Sequence, residues 1–170
     1  MWNADDPQDR RYFRTLEETA RNFYHFTASA DGQNLAAFAG GDVEILSSLG
    51  GYQVGILPGV EGKGLIFNPK DSSLLAVWTE SSIQIWDLSN GEIVNEFDEP
   101  GSFSPPVELA FSPAAPGRLL AIGRSDGLVE LWDVSRGQQP SRLVDFPSSI
   151  TGLTFNADGS RLQPAKMPAK

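Results

Sequence analysis

The sequence contains no cysteine and a single histidine, His25. The first absence excludes a disulfide framework, thiolate metal sites and a cysteine nucleophile. The second removes the usual zinc sets built from several histidines. No apolar run approaches the roughly 18 residues that a membrane helix requires. The N-terminal MWNADDPQDRR is polar and acidic, without the apolar core of a signal peptide. Basic residues are in deficit, 13 Lys and Arg against 22 Asp and Glu, for a net charge of −9. Such a balance argues against nucleic acid and against membrane as partners, since both demand a basic surface. There is no P-loop, no dinucleotide fingerprint and no GxSxG. The expectation is a soluble chain of the cytoplasm, with no cofactor and no metal.

What the 170 residues do hold is a globular composition, 40% apolar and 21% charged, punctuated by 17 glycines and 12 prolines. The chain also repeats itself. VEILSSLGG from Val43, IQIWDLSNG from Ile83 and VELWDVSRG from Val129 align without gaps, 40 and then 46 residues apart. A second landmark, IFNPKD at Phe67, AFSPAAPG at Phe111 and TFNADG at Phe155, recurs every 44 residues. Two independent landmarks at one period define a repeat protein. Within a unit the periodicity is that of strands. Ile83 and Ile85 alternate with Gln84, and Val129 and Leu131 with Glu130, as in half-buried strands. LLAVW at 74–78 and LLAIG at 119–123 are continuous apolar runs, the mark of a strand covered on both faces. Turn dipeptides such as Gly40-Gly41, Asn90-Gly91 and Asp126-Gly127 separate them. Each unit therefore reads as four short antiparallel strands, in one case about 107–112, 119–124, 128–133 and 140–146.

A four-stranded unit of this length with Trp-Asp closing its third strand resembles the WD-repeat β-propeller family. Trp86-Asp87, Trp132-Asp133, the FSP at 111–113 and the SDG at 125–127 carry the likeness. The resemblance implies an all-β fold, a partial, open propeller of four-stranded antiparallel blades forming a single domain over 1–170. Its parts would be an outer strand of a preceding blade at 1–21, blades at 22–60, 63–98 and 107–146, and the truncated start of another at 150–170. Within 1–21 the resemblance favours a strand at about 10–16 over a helix. The family's Gly-His histidine is missing throughout, its position falling on Thr19, Pro58, Ser102 and Phe146. Asp126 and Trp132 are expected to retain the aspartate–tryptophan part of the family's buried network. The blade with Trp86 offers Glu80 or Ser81 instead. After Phe155 the pattern calls for a strand from Arg161, where RLQPAKMPAK abandons the apolar run. A ring of seven such blades would need roughly 300 residues. The expectation is a fragment of a longer propeller or, less favoured, copies that associate to complete a ring.

Residues able to carry chemistry have plain structural readings. His25 reads as a partly exposed strand residue with no identifiable partner. Asp5-Asp6, Glu17-Glu18 and Asp98-Glu99 read as solvated loop charge. Trp86 and Trp132 read as packing residues. The acids Glu92, Glu96, Asp98 and Glu99 read as protection of an edge strand. What remains is a non-catalytic interaction scaffold that binds other proteins through loops. The family's strand order puts Glu17, Glu18, Asp42, Glu61, Glu80, Glu99 and Asp126 on one face against Arg21 alone, a surface suited to basic peptide segments. The alternative, an enzyme or cofactor binder of quinoprotein-like type, requires a tryptophan after the turn glycine. Gly91 and Gly137 are followed by Glu92-Ile93-Val94 and Gln138-Gln139-Pro140.

Overall fold

Apolar and β-branched residues between glycine-bearing turns form fourteen strands in the computed structural model, which describes residues 22–79, 82–98, 104, 106–114, 116–136 and 141–166. The strand expected at 10–16 lies outside these residues. β1 (Phe23–Ala28), β2 (Asn34–Ala39), β3 (Asp42–Ser47) and β4 (Gln53–Leu57) make one antiparallel meander. β5 (Gly64–Phe67), β6 (Leu74–Trp78), β7 (Ser82–Asp87) and β8 (Glu92–Asp98) make a second. β9 (Pro106–Phe111), β10 (Leu119–Arg124), β11 (Leu128–Asp133) and β12 (Ser141–Asp145) make a third. The four strands read from the third repeat are found within one residue at each end. No helix occurs among the described residues.

The sheets stack face to face. Phe38, Val43, Ile45 and Leu57 of the first meet Leu65, Phe67, Leu75 and Val77 of the second in one core. Ala76, Ile83, Ile85 and Phe97 leave the other side of the second sheet to meet Leu109, Phe111, Leu120 and Ile122 of the third. Successive residues of β6 thus enter different cores, which is why LLAVW carries no polar position. Polar ties cross the same seams. The Phe67 amide donates to Thr27 Oγ1 at 3.3 Å, and the buried Asn68 amide donates to the Gly117 carbonyl at 2.7 Å.

The chain continues into β13 (Ile150–Phe155), which lies against β9 and β10. It pairs with β14 (Leu162–Lys166), so pairing goes on where the apolar pattern stops. Backbone hydrogen bonds suffice for a strand with one described neighbour, and Pro164 is tolerated at such an edge.

Aspartates close the turns by one device. Asp87 Oδ1 accepts from the Ser89 amide at 2.9 Å and its hydroxyl at 2.6 Å. Asp133 does the same with Ser135, at 3.0 and 2.6 Å. The aspartate after each tryptophan therefore builds the turn that ends the third strand. Elsewhere a glycine is obligatory. Gly127 has φ +96°, and a Cβ there would stand 2.1 Å from the Phe146 carbonyl oxygen.

The expected aspartate–tryptophan link of the third sheet does not form. Asp126 is exposed, and its Oδ1 accepts from the Leu128 amide of its own turn at 3.0 Å. The Trp132 indole nitrogen is buried and meets no acceptor among the described residues. Its ring packs on Phe97 with centroids 4.4 Å apart. Two residues back on the same strand Glu130 enters a largely buried ion pair with Arg124 of β10, which donates to Glu130 Oε2 at 2.7 and 2.8 Å and to the Ser104 carbonyl at 3.1 Å.

Two outcomes follow for stability. Trp132→Ala removes the packing and is expected to cost about 3–5 kcal/mol. Trp132→Phe keeps an aromatic on Phe97 and deletes only an unpaired donor, so its thermal midpoint should stay close to the parent's. Equal losses in the two variants, read by thermal unfolding, would contradict this packing.

Acid titration tests the turns. Serine hydroxyls, from Ser29, Ser89, Ser135 and Ser160, are the largest cause holding the Asp31, Asp87, Asp133 and Asp158 carboxyls below the ordinary 3.8. A depressed folded value means stability present above the unfolded value and lost as pH falls through the folded one. Glu108, raised by burial, acts oppositely, losing its share as pH rises above 4.5. The thermal midpoint should therefore drop below about pH 4, with a shallower acid limb in an Asp87→Asn, Asp133→Asn variant. An unchanged limb would show that these turns contribute nothing to acid stability.

Candidate functional site

The loops entering the innermost strands and the turns after the second strands meet at one rim of the first two sheets. Gly40 and Gly41 connect β2 to β3 in two residues, with φ of +63° and +93° that favour glycine. Asp42 Oδ1 then accepts from the Gly59 amide at 2.8 Å, tying this turn to the loop that follows β4. Glu61, next on that loop, is exposed and lies over Gly41, where a Cβ would be 3.4 Å from its Oε1. Asp42 and Glu61 are thus brought together. Asp126 stands on the third sheet, on its own turn. Glu17, Glu18, Glu80 and Glu99 lie outside the described residues.

Between the first two sheets, at this rim, a cleft of about 550 Å³ opens. Gly41, Gly59 and Glu61 form one wall, and Ser82, Gln84, Trp86 and Glu96 the other. Ser82, Gln84 and Trp86 alternate with Ile83 and Ile85, so the side of β7 facing away from the second core supplies them. Glu96 joins them because β8 pairs it with Gln84. The Trp86 indole donates to Gln84 Oε1 at 3.1 Å. Gln84 Nε2 donates to Glu96 Oε1 at 2.9 Å, and Ser82 Oγ donates to that same oxygen at 2.8 Å. These bonds, from Gln84 first and then Ser82, hold the Glu96 carboxyl below its ordinary value, keeping it ionised. No lysine, arginine or histidine among the described residues lines the cleft.

Glu96 is therefore more than edge protection: its carboxylate is bound into the wall of a cleft. Trp86 packs against the first core, as expected, while its nitrogen serves this network. The group that takes its N–H is Gln84. The signal was present in IQIWD, whose alternation puts Gln84 on the face of Trp86. Which β8 residue lies opposite depends on the register shift between Ile85 and Trp86, which the sequence does not announce.

His25 is exposed at a bulge of β1, with φ +50°. Its ring neighbours are Tyr24 and Phe38, at 5.8 and 6.3 Å between centroids. Among the described residues no group of three or more His, Asp or Glu is arranged to hold a metal ion. No helix among them is long and apolar enough to cross a membrane.

No family model matches the chain. Individual proteins do. WD repeat-containing protein 90 of Homo sapiens is 28% identical over 99 residues, which is 56% of this chain and 6% of that protein. Eukaryotic translation initiation factor 3 subunit I of Aspergillus fumigatus is 30% identical over 96 residues, 56% of this chain and 27% of its own length. The CCR4-associated factor 4 homolog of Vanderwaltozyma polyspora is 36% identical over 105 residues, 49% of this chain and 15% of that protein. The chain thus spans about a quarter or less of the length of these relatives. With meanders of four strands, a period of 40–46 residues and Trp-Asp ending β7 and β11, the chain is similar to WD-repeat proteins in both sequence and architecture.

Proposed function

We propose that the chain is a non-catalytic interaction scaffold whose acidic rim receives basic segments of other proteins. The observation that carries this reading is the rim itself, where Glu61 and Glu96 line a cleft, Asp42 is bonded to Gly59 beside it, and no cation among the described residues enters the lining. Both faces of the second sheet are consumed in packing, which leaves loops and rims as the surface for partners. The relatives' names support protein partners: one is a subunit of an initiation factor, another a factor associated with CCR4. A cytoplasmic setting belongs to the proposal and suits a relative of a translation initiation factor subunit. So does the wider rim, with Glu17, Glu18, Glu80, Glu99 and Asp126 extending the acidic surface. Association with further repeats or a second copy is also proposed, because Tyr52, Val54 and Ile56 leave an apolar strip exposed on the first sheet.

Charge reversal tests the rim. Glu18→Lys, Glu61→Lys and Asp126→Lys together should weaken binding of a fluorescent lysine- and arginine-rich peptide about tenfold or more at low salt, chiefly through slower association. Reversal of Asp31 and Asp71, on the opposite turns, should leave it unchanged. Equal affinity for the parent and the triple variant would sink the proposal.

A further inference from the structure

We propose that the cleft between the first two sheets is a receptor for a single arginine side chain of a protein partner, with Glu96 as its anchoring carboxylate and the Trp86 ring as its wall. This deepens the reading of the acidic rim and rests on it for the nature of the partner. The argument starts from the indole. Its N–H donates to Gln84 Oε1, which settles the orientation of the amide and turns Nε2 towards Glu96. Ser82 and Gln84 both donate to Oε1 of Glu96, and Oε2 meets no donor among the described residues. The carboxylate is therefore placed and ionised before a ligand arrives, with one oxygen left as an acceptor. Across the cleft Glu61 is exposed and takes no hydrogen bond among the described residues. Lys63 lines a neighbouring hollow of about 340 Å³ instead of this one.

Two carboxylates, a half-buried indole and no cation among the described lining residues fit a cationic ligand, and they fit a guanidinium better than an ammonium. A guanidinium is planar, stacks on an aromatic ring and spreads five donors in a fork that can reach a carboxylate with two bonds. An ammonium is more strongly hydrated and loses more on entering such a cleft. The volume of about 550 Å³ exceeds one guanidinium, leaving room for the peptide that carries it.

The test uses the whole chain, labelled with nitrogen-15, and the indole N–H resonance of Trp86, assigned by its loss in Trp86→Phe. The probe is acetyl-Gly-Ser-Arg-Ser-Gly-amide, beside counterparts with lysine and with uncharged citrulline. The arginine peptide should shift the Trp86 resonance, the lysine peptide should bind severalfold more weakly, and the citrulline peptide should leave it in place. Glu96→Gln retains an oxygen for Ser82 and Gln84 but loses the charge, and should weaken arginine binding about tenfold or more. An unchanged indole position in the free variant confirms that the wall is intact. Equal shifts from arginine and citrulline peptides, or parental affinity in Glu96→Gln, would overturn the site. The face and the cleft fail separately. If reversal of Glu18 and Asp126 weakens a long basic peptide while Glu96→Gln binds arginine as the parent does, the cleft is refuted and the rim stands. If Glu96→Gln abolishes arginine binding while that reversal changes nothing, the cleft stands and the wider rim is refuted.

Discussion

The double burial of the second strand of each sheet is the constraint on which the rest depends. Leu75 and Val77 point into the first core and Ala76 into the second, all fully buried. A four-stranded meander has two faces and cannot cover both from its own residues. Stacking solves this, since each added sheet covers a face of its predecessor and offers a new one. The requirement for apolar residues on both sides explains why LLAVW and LLAIG lack the alternation seen in their neighbours. On the second sheet it leaves little free face, whereas Tyr52, Val54 and Ile56 stay exposed on the first.

The Trp-Asp pair divides two tasks between adjacent residues that point to opposite sides. The tryptophan spans the seam: Trp86 packs on the first core and Trp132 on the second. The aspartate closes the turn through its own carboxylate, with Ser89 or Ser135 as donor. The polar partner of the tryptophan is free to vary between sheets. Gln84 serves Trp86, whereas at the matching position on β11 Glu130 is taken by Arg124, and the Trp132 nitrogen meets no acceptor among the described residues. Apolar packing carries both sheets, and the hydrogen bond adds rigidity in one.

Much of the fold was legible because its determinants are local and repeated. The alternation of Ile83 and Ile85, the apolar run at 119–123 and the turn dipeptides each specify a strand or its end without reference to distant residues. β14 was not legible, since backbone pairing along a single edge needs no apolar signal around Pro164. At the site, strand order offered the rim acids as candidates, and of these Asp42 and Glu61 lie on adjoining loops. The role of Glu96 could not. It depends on a bulge that sets the register of β8 and on a tryptophan nitrogen whose partner is chosen by geometry. As the expected partner of Trp132, Asp126 gave a misleading signal, because its carboxylate accepts from the Leu128 amide of its own turn at 3.0 Å.

The account makes the stack of sheets, and not the single meander, the unit of stability. Native-state hydrogen exchange read by NMR tests this most directly. Amides of β6 and β10, buried between successive cores, should exchange most slowly and with one common opening free energy, that of global unfolding. Those of β1 and β14 should exchange faster. Three separate sets of opening free energies, one for each four-stranded sheet, would mean that the sheets fold independently and would contradict the shared cores as the basis of the fold.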